Sequence, residues 1–347
     1  MTNLAGVFGI QLSSGWHTPL ALASVGLGTI IAWRGIGAIT WTTRLLVPLL
    51  LLLGVVVIYV GFRAVPVGVV WNYKPPVAPG TDPLVPYIVS IEANFAFVIT
   101  LVGGMAAVPR LVRSERAGYW SGVLGQGLSG SLFVVAGAVM AIATKHATGR
   151  MVDDPTTMLA TLAFPAMALC SLLLVAFANI GTQAVGSYIY GVMLKSAFRK
   201  ADYRLLILVL AAYVGLLCAW GRIVKYFGSF LTLSACIYAP LAALLVVDFF
   251  FVRGRKIALR SAFGLSGHHA YDYTRGINWV GFACVAAGVA MSLAIYNPLT
   301  GQVHCKTLFL LTPTGFSFLG TGLLYLCLSR IPAVAGYLLR DRQETTV

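Results

Sequence analysis

The chain has 347 residues, of which 59% are hydrophobic and only 10% charged, and its mean hydropathy is +0.88. A soluble domain carries about 25% charged residues, so a soluble fold is excluded. The net charge of +14 does not point to nucleic acid, because the Lys and Arg lie in short loops between apolar runs and form no basic face; they report membrane topology.

A bilayer core about 30 Å thick needs roughly 20 apolar residues per helix. The first apolar piece, Leu4 to Leu12, would rise only about 14 Å at 1.5 Å per residue. It is expected to be the end of a helix whose beginning is absent. Full spans are then predicted near 20–34, 45–62, 86–108, 119–144, 159–194, 205–221, 227–252, 276–295 and 307–329, separated by charged or Pro/Gly-rich loops. The fold class read from this is all-α, a polytopic membrane helix bundle forming a single membrane domain over residues 1–347. The six cysteines have no C-x-x-C spacing, and all but Cys305 fall in apolar segments, where a thiol behaves as a small hydrophobe.

Orientation follows from the basic residues, since short cytoplasmic loops retain Lys and Arg. Of the 24 Lys and Arg, seventeen fall in one set of alternate loops, from Arg34 to Arg342, and seven in the other, which also holds the Pro-rich stretch 66–86. The larger set contains the tail, so the C-terminus is expected in the cytoplasm and the protein in the plasma (cytoplasmic) membrane.

Polar side chains at membrane depth are costly and mark the places to look for function. The densest group is AFANIGTQAVGSYIYG, with Asn179, Thr182, Gln183 and Ser187 among Gly181, Gly186 and Gly191. At helical spacing, 179, 183 and 186–187 stack on one face with Thr182 beside them. Two readings stay open. Amides and hydroxyls there can bind the edge of a small planar ligand, and backbone carbonyls near the glycines can coordinate Na⁺; equally, small and polar residues pack membrane helices together. The span 86–108 carries Glu92 and Asn94 in its outer third, Phe95 and Phe97 beyond them, and a Gly103-Gly104 pair before Pro109. Such Gly and Pro positions allow a helix to unwind around substrate. Glu92 is expected in water at the headgroup level, with a proton or cation partner as the alternative. Asp248 is expected to pair with basic residues nearby. P-loop, G-x-S-x-G and H-E-x-x-H patterns are missing from the sequence, so neither an enzyme nor a nucleotide-driven pump is expected.

Four stretches resemble the nucleobase:cation symporter-1 family, the permeases for cytosine, purines, uracil, thiamine, allantoin and hydantoins. PRLVRSERAGYWSGVLGQGL (109–128) is similar to its R-Y-x-R-S segment and following G-Q-x-L-G helix, and FANIGTQAVGSYIYG (177–191) to its eighth helix. FGSFLTLSACIYAPLAALLVVDFFFVRGRK (227–256) resembles the tenth helix, ending in D-[YF]-[FY]-x-x-R, and YDYTRGINWVGF (271–282) the start of the eleventh. The resemblance implies an inverted-repeat fold of five plus five helices and two more, lacking here roughly the first two and a half. It implies a cation site at Ala178, Gly181 and Thr182 and a substrate contact from Gln183, flanked by Asn179 and Ser187, with the base-stacking aromatic at Phe97 or Val98; Asn94 is expected as a further substrate contact. The sequence departs from the family pattern where Ala106-Ala107-Val108-Pro109-Arg110 replaces P-D-F-x-R and where Gly-Thr-Gln replaces a hydroxyl-Asn run.

The expected function is therefore secondary import of a nucleobase or related small heterocycle by alternating access, with Na⁺ or H⁺ as coupling ion and no other cofactor. The expected partners are a small-molecule substrate and the lipid bilayer, with no nucleic acid. An amino-acid or other small-solute permease on the same scaffold, or a non-transporting fragment, are the alternatives.

Overall fold

The computed structural model describes residues 14–77, 82–105, 112–152, 154–221, 223–258, 261, 271 and 273–339. The Leu4–Leu12 segment, the 106–110 departure and His268-His269 lie outside them. The described α-helices of seven residues or more are α1 (His17–Trp33), α2 (Ile36–Ala64), α3 (Leu84–Thr100), α4 (Glu115–Gly122), α5 (Gly130–Thr148), α6 (Pro155–Leu162), α7 (Pro165–Ala197), α8 (Tyr203–Trp220), α9 (Ile223–Val247), α10 (Trp279–Ile295), α11 (Pro313–Ser329) and α12 (Pro332–Leu338), with shorter turns at Val67–Trp71, Val102–Met105 and Lys306–Phe309. A two-residue ribbon, β1 (Tyr296–Asn297) paired antiparallel with β2 (Gln302–Val303), is the one sheet among the described residues. The all-α membrane bundle is thus what the chain forms.

Among the described residues, seven helices are long and apolar enough to cross a membrane, and an eighth is added if α11 and α12, bent by 101°, count as one span. The helix predicted near 20–34 is present as α1, but at 17 residues it falls just short of that length. The predicted 159–194 span is divided: Ala163 and Phe164 are extended, and Pro165 opens α7, a first-turn position where its missing N–H costs nothing.

Local chemistry sets the ends. Asp154 caps α6 by accepting from the backbone N–H of Thr156 and Thr157, Asp202 caps α8, and Asn278 of the G-I-N-W segment caps α10 through Gly281 N–H. Gly149 and Gly221 close α5 and α8 at φ +73° and +68°, where a Cβ would be strained. Helices α4 and α5 join through a π-helical stretch, Val123–Ser129.

Two compact units emerge from the chain. The first, residues 1–75 and 104–224, is built on α1, α2 and α4–α8. Its core joins Leu53 and Val60 of α2 to Met140 of α5 and Leu159 of α6, and Ile39 of α2 to Ala184 and Tyr188 of α7. Small residues let its helices approach: a Cβ on Gly181 would run into Leu46 of α2, and one on Gly191 into Ile207 of α8. The second unit, residues 76–103 and 225–347, holds α3 and α9–α12. Ala96 and Ile99 of α3 meet Ala235, Ala239 and Ala242 of α9, and Cys284 of α10 meets Tyr325 of α11.

Candidate functional site

Helix α7 presents two faces. Gly181, Ala184, Ser187, Tyr188 and Gly191 are buried, at the spacing of one helical stripe packed on neighbours. Beside that stripe, Asn179 and Gln183 stand one turn apart and open into a cavity of about 400 Å³, within the 300–1,000 Å³ typical of small-molecule sites. Gln183 Nε2 donates to Ser187 Oγ at 3.2 Å, so its carbonyl is turned away from that bond. The stacking of 179, 183 and 187 predicted from spacing is what the helix displays.

The opposite wall comes from α1, where His17, Ala21 and Ser24 follow one another at three- and four-residue intervals. Gly28 continues that line, and a Cβ there would lie 2.7 Å from Gln183 Cγ; the missing side chain lets Gln183 sit against α1. Thr156 of α6 adds a hydroxyl, while Leu20, Leu172, Val175 and Val214 supply apolar wall. A mostly apolar slot with a few convergent polar groups suits a small planar molecule with donors and acceptors on its edge. His17, Ser24 and Thr156 are wall residues that reading the sequence did not single out. The signal available was the i, i+4, i+7, i+11 line of His17, Ala21, Ser24 and Gly28 on a helix otherwise rich in Leu, Val and Ile.

The residues assigned to a cation by resemblance sit differently. Gly181 is buried against Leu46 and Thr42, Thr182 is exposed, and Ala178 is half-buried. All three belong to the uninterrupted helix Pro165–Ala197, whose carbonyls each retain a second lone pair beyond the helical bond. Among the described residues no group of three or more His, Cys, Asp or Glu is placed to hold a metal.

In the second unit, Asn94 and Phe97 are exposed on α3, and Asn94 Nδ2 donates to the Ser90 carbonyl at 2.8 Å. Glu92 corrects the expectation of a headgroup position in water. It is 2% exposed, and its carboxylate receives the backbone N–H of Thr314 at 3.1 and 3.2 Å together with the Thr314 hydroxyl. Thr314 is the second residue of α11, so Glu92 takes up a donor that the first helical turn leaves unpaired and matches the positive end of the helix dipole.

Asp248 pairs as expected. Its Oδ2 lies 2.7 Å from Arg253 Nε, and its Oδ1 accepts from the Tyr325 hydroxyl at 2.9 Å. Arg253 also donates to the Tyr273 hydroxyl at 2.7 Å and to the Leu338 carbonyl at 3.4 Å, with its guanidinium 4.7 Å from the centre of the Tyr271 ring. In a regular α-helix, positions five apart diverge by roughly 140°; here Asp248–Val252 is π-helical, and the wider turn brings both onto one side.

Comparison with known proteins supplies the context. The family described as permeases for cytosine/purines, uracil, thiamine and allantoin matches residues 10–315. A hydantoin permease from Microbacterium maritypicum is 37% identical over 84 residues, which is 24% of this chain and 17% of that protein.

Proposed function

Because the chain belongs to the permease family for cytosine/purines, uracil, thiamine and allantoin, we propose that it is a membrane transporter rather than an enzyme, and specifically a secondary active transporter of a nucleobase-like heterocycle. The substrate binds in the cavity between α1 and α7. The observation that carries this reading is the Asn179–Gln183 amide pair opening into a slot of about 400 Å³. Two amides one turn apart offer donors and acceptors at the spacing of a heterocycle's edge, and Ser187 fixes the Gln183 rotamer through the 3.2 Å bond. The hydantoin permease similarity brings five-membered cyclic ureides into the same class as pyrimidines and purines.

Asn94 and Phe97 of α3 are proposed as further substrate-contacting residues from the sequence alone, and Ala178, Gly181 and Thr182 carry the coupling cation through backbone carbonyls and the Thr182 hydroxyl. The coupled ion is Na⁺ or H⁺, transport runs by alternating access, and the protein lies in the plasma membrane with its C-terminus in the cytoplasm, as the distribution of basic residues favours.

The test is thermal stabilisation of the purified chain by uracil, cytosine, hypoxanthine, allantoin and hydantoin, each with and without Na⁺. At least one of them is expected to stabilise it. Gln183→Leu removes a half-buried amide's hydrogen bond, about 0.5–1.5 kcal/mol, so the binding of that compound is expected to weaken by about 2- to 13-fold. Thr182→Ala is expected to abolish any Na⁺ dependence. Stabilisation by amino acids and by none of the five heterocycles would overturn the substrate class.

A further inference from the structure

Among the described residues, Glu92 is the carboxylate buried inside an apolar helix and outside the binding cavity, the caps and the Asp248–Arg253 pair. It is the ninth residue of α3, about 12 Å along the helix. Among the described residues no Lys, Arg or His pairs with it. Among the described residues its donors are the N–H and hydroxyl of Thr314. The titratable groups of the elements packed around it are Cys236 and Tyr238 on α9 and Tyr296 in β1; all are acids, and Cys236 Sγ accepts from Ser292 Oγ of α10 at 3.2 Å. An ionisable side chain at membrane depth with no countercharge is costly as a structural device, and a neutral amide could hold the same helix end.

The turn that Glu92 grips is itself held out of its relaxed form. Thr312, directly before Pro313, has φ +59°, a conformation uncommon for a β-branched residue. Its hydroxyl oxygen accepts from Gly315 N–H at 3.1 Å, so the first turn of α11 is tied twice, once by Thr312 and once by Glu92. On α3, buried Glu92, Ala96 and Ile99 form the inner face, and exposed Asn94 and Phe97 lie on the other.

We propose that Glu92 is a proton-binding site of this transporter, whose charge controls the docking of the α11 N-terminal turn on α3. As the carboxylate, it accepts the Thr314 N–H and O–H and locks the turn. On taking up a proton from the aqueous phase it becomes a carboxylic acid. Its new O–H then donates, the Thr314 hydroxyl reverses to accept, the anion at the helix N-terminus is gone, and the strained Thr312 turn is released. Returning the proton to water restores the lock. Asn94 and Phe97 ride on the same helix as Glu92. This inference rests on the transport reading above.

Two measurements separate them. In the full chain reconstituted into lipid vesicles, infrared spectroscopy across mildly acidic to mildly alkaline pH is expected to show the C=O stretch of a protonated carboxylic acid that titrates in the wild type and is absent from Glu92→Gln. Thr314→Val, which removes a donor to the anion, moves that titration toward alkaline pH. A wild type without a titrating band, or a Glu92→Gln variant that keeps it, overturns the proton site. In the same vesicles, labelled uracil and hydantoin serve as transport probes. The wild type is expected to concentrate a probe when an inward proton gradient is imposed, and Glu92→Gln to equilibrate it without concentrating it. Equal accumulation by both overturns the coupling role. If neither probe enters with the wild type, the transport reading falls, and the infrared titration alone decides whether Glu92 binds a proton.

Discussion

Removing the Arg253 guanidinium tests the densest polar cluster in the second unit. Arg253 is 9% exposed, and its loss would strip Asp248 of the 2.7 Å ion pair while leaving the carboxylate half-buried with only the Tyr325 hydroxyl at 2.9 Å. The Tyr273 hydroxyl and the Leu338 carbonyl would lose their donor as well. Breaking a buried pair by deleting one partner costs about 3–5 kcal/mol, chiefly because the remaining charge is uncompensated. For a unit of about 150 residues, each kcal/mol lowers Tm by roughly 2–4 °C, so Arg253→Met is expected to lower Tm by about 6–20 °C in detergent. The double variant Arg253→Met/Asp248→Asn removes both charges and is expected to recover at least about half of that loss. Arg253→Lys keeps the charge but not the planar fork that reaches Asp248 and Tyr273 together, and is expected to fall between wild type and Arg253→Met. The assay is intrinsic-fluorescence or calorimetric melting of the three variants. A Tm loss for Arg253→Met within about 2 °C of zero, or a double variant less stable than Arg253→Met, would refute the account of the cluster as one coupled unit.

Two further outcomes follow from packing and capping. At Gly288, a Cβ would run into Thr321 Oγ1 and lie 2.7 Å from Pro240 Cβ, so Gly288→Ala is expected to cost about 1–3 kcal/mol by overpacking, whereas Gly186→Ala, with open space around it, is expected to leave Tm unchanged or raised; melting curves of the pair check this. Asp154 is subject to burial, which pushes its carboxyl up, but the hydroxyls and N–H groups of Thr156 and Thr157 outweigh that and hold it below the usual carboxylate range. A depressed value in the folded state means that the cap contributes fully above the ordinary carboxylate range and is lost as pH falls through it. Asp154→Ala is therefore expected to cost about 1 kcal/mol at neutral pH and little at strongly acidic pH, read from the Tm difference between variant and wild type at the two pH values.

Helix positions were legible because hydrocarbon imposes length and composition on any spanning segment. Their breaks were less so. Within the run from 159 to 194, Pro165 was the available sign that α6 and α7 are separate; length was not one, since α7 alone continues over Pro165–Ala197. On α7, the amide pair was legible from spacing alone, while the wall facing it was not. His17 and Ser24 line the cavity because Gly28 lets α1 lie against Gln183, and a glycine on an apolar helix does not say which partner it admits.

The two acidic residues inside apolar spans show why pairing is harder to read than position. Asp248 and Arg253 are five residues apart, so a pair between them is an obvious expectation, yet in an α-helix they would diverge. The pair forms because the π-turn at Asp248–Val252 supplies the extra width, and the terminal D-x-x-x-x-R spacing is thus a signature of that turn as much as of the charges. Glu92 has its partner 222 residues away, at the start of a helix whose own cap, Thr312, already accounts for the local sequence. Nothing within reach of Glu92 in the chain could predict a donor there. An acidic residue in an apolar segment with no basic neighbour at three to five residues must either face water or find a helix end, and burial to 2% decides for the helix end. A helix end can be held by a carboxylate or by a neutral amide. Only the carboxylate makes the contact depend on a proton, and that difference is why Glu92→Gln separates a fixed cap from a coupling site.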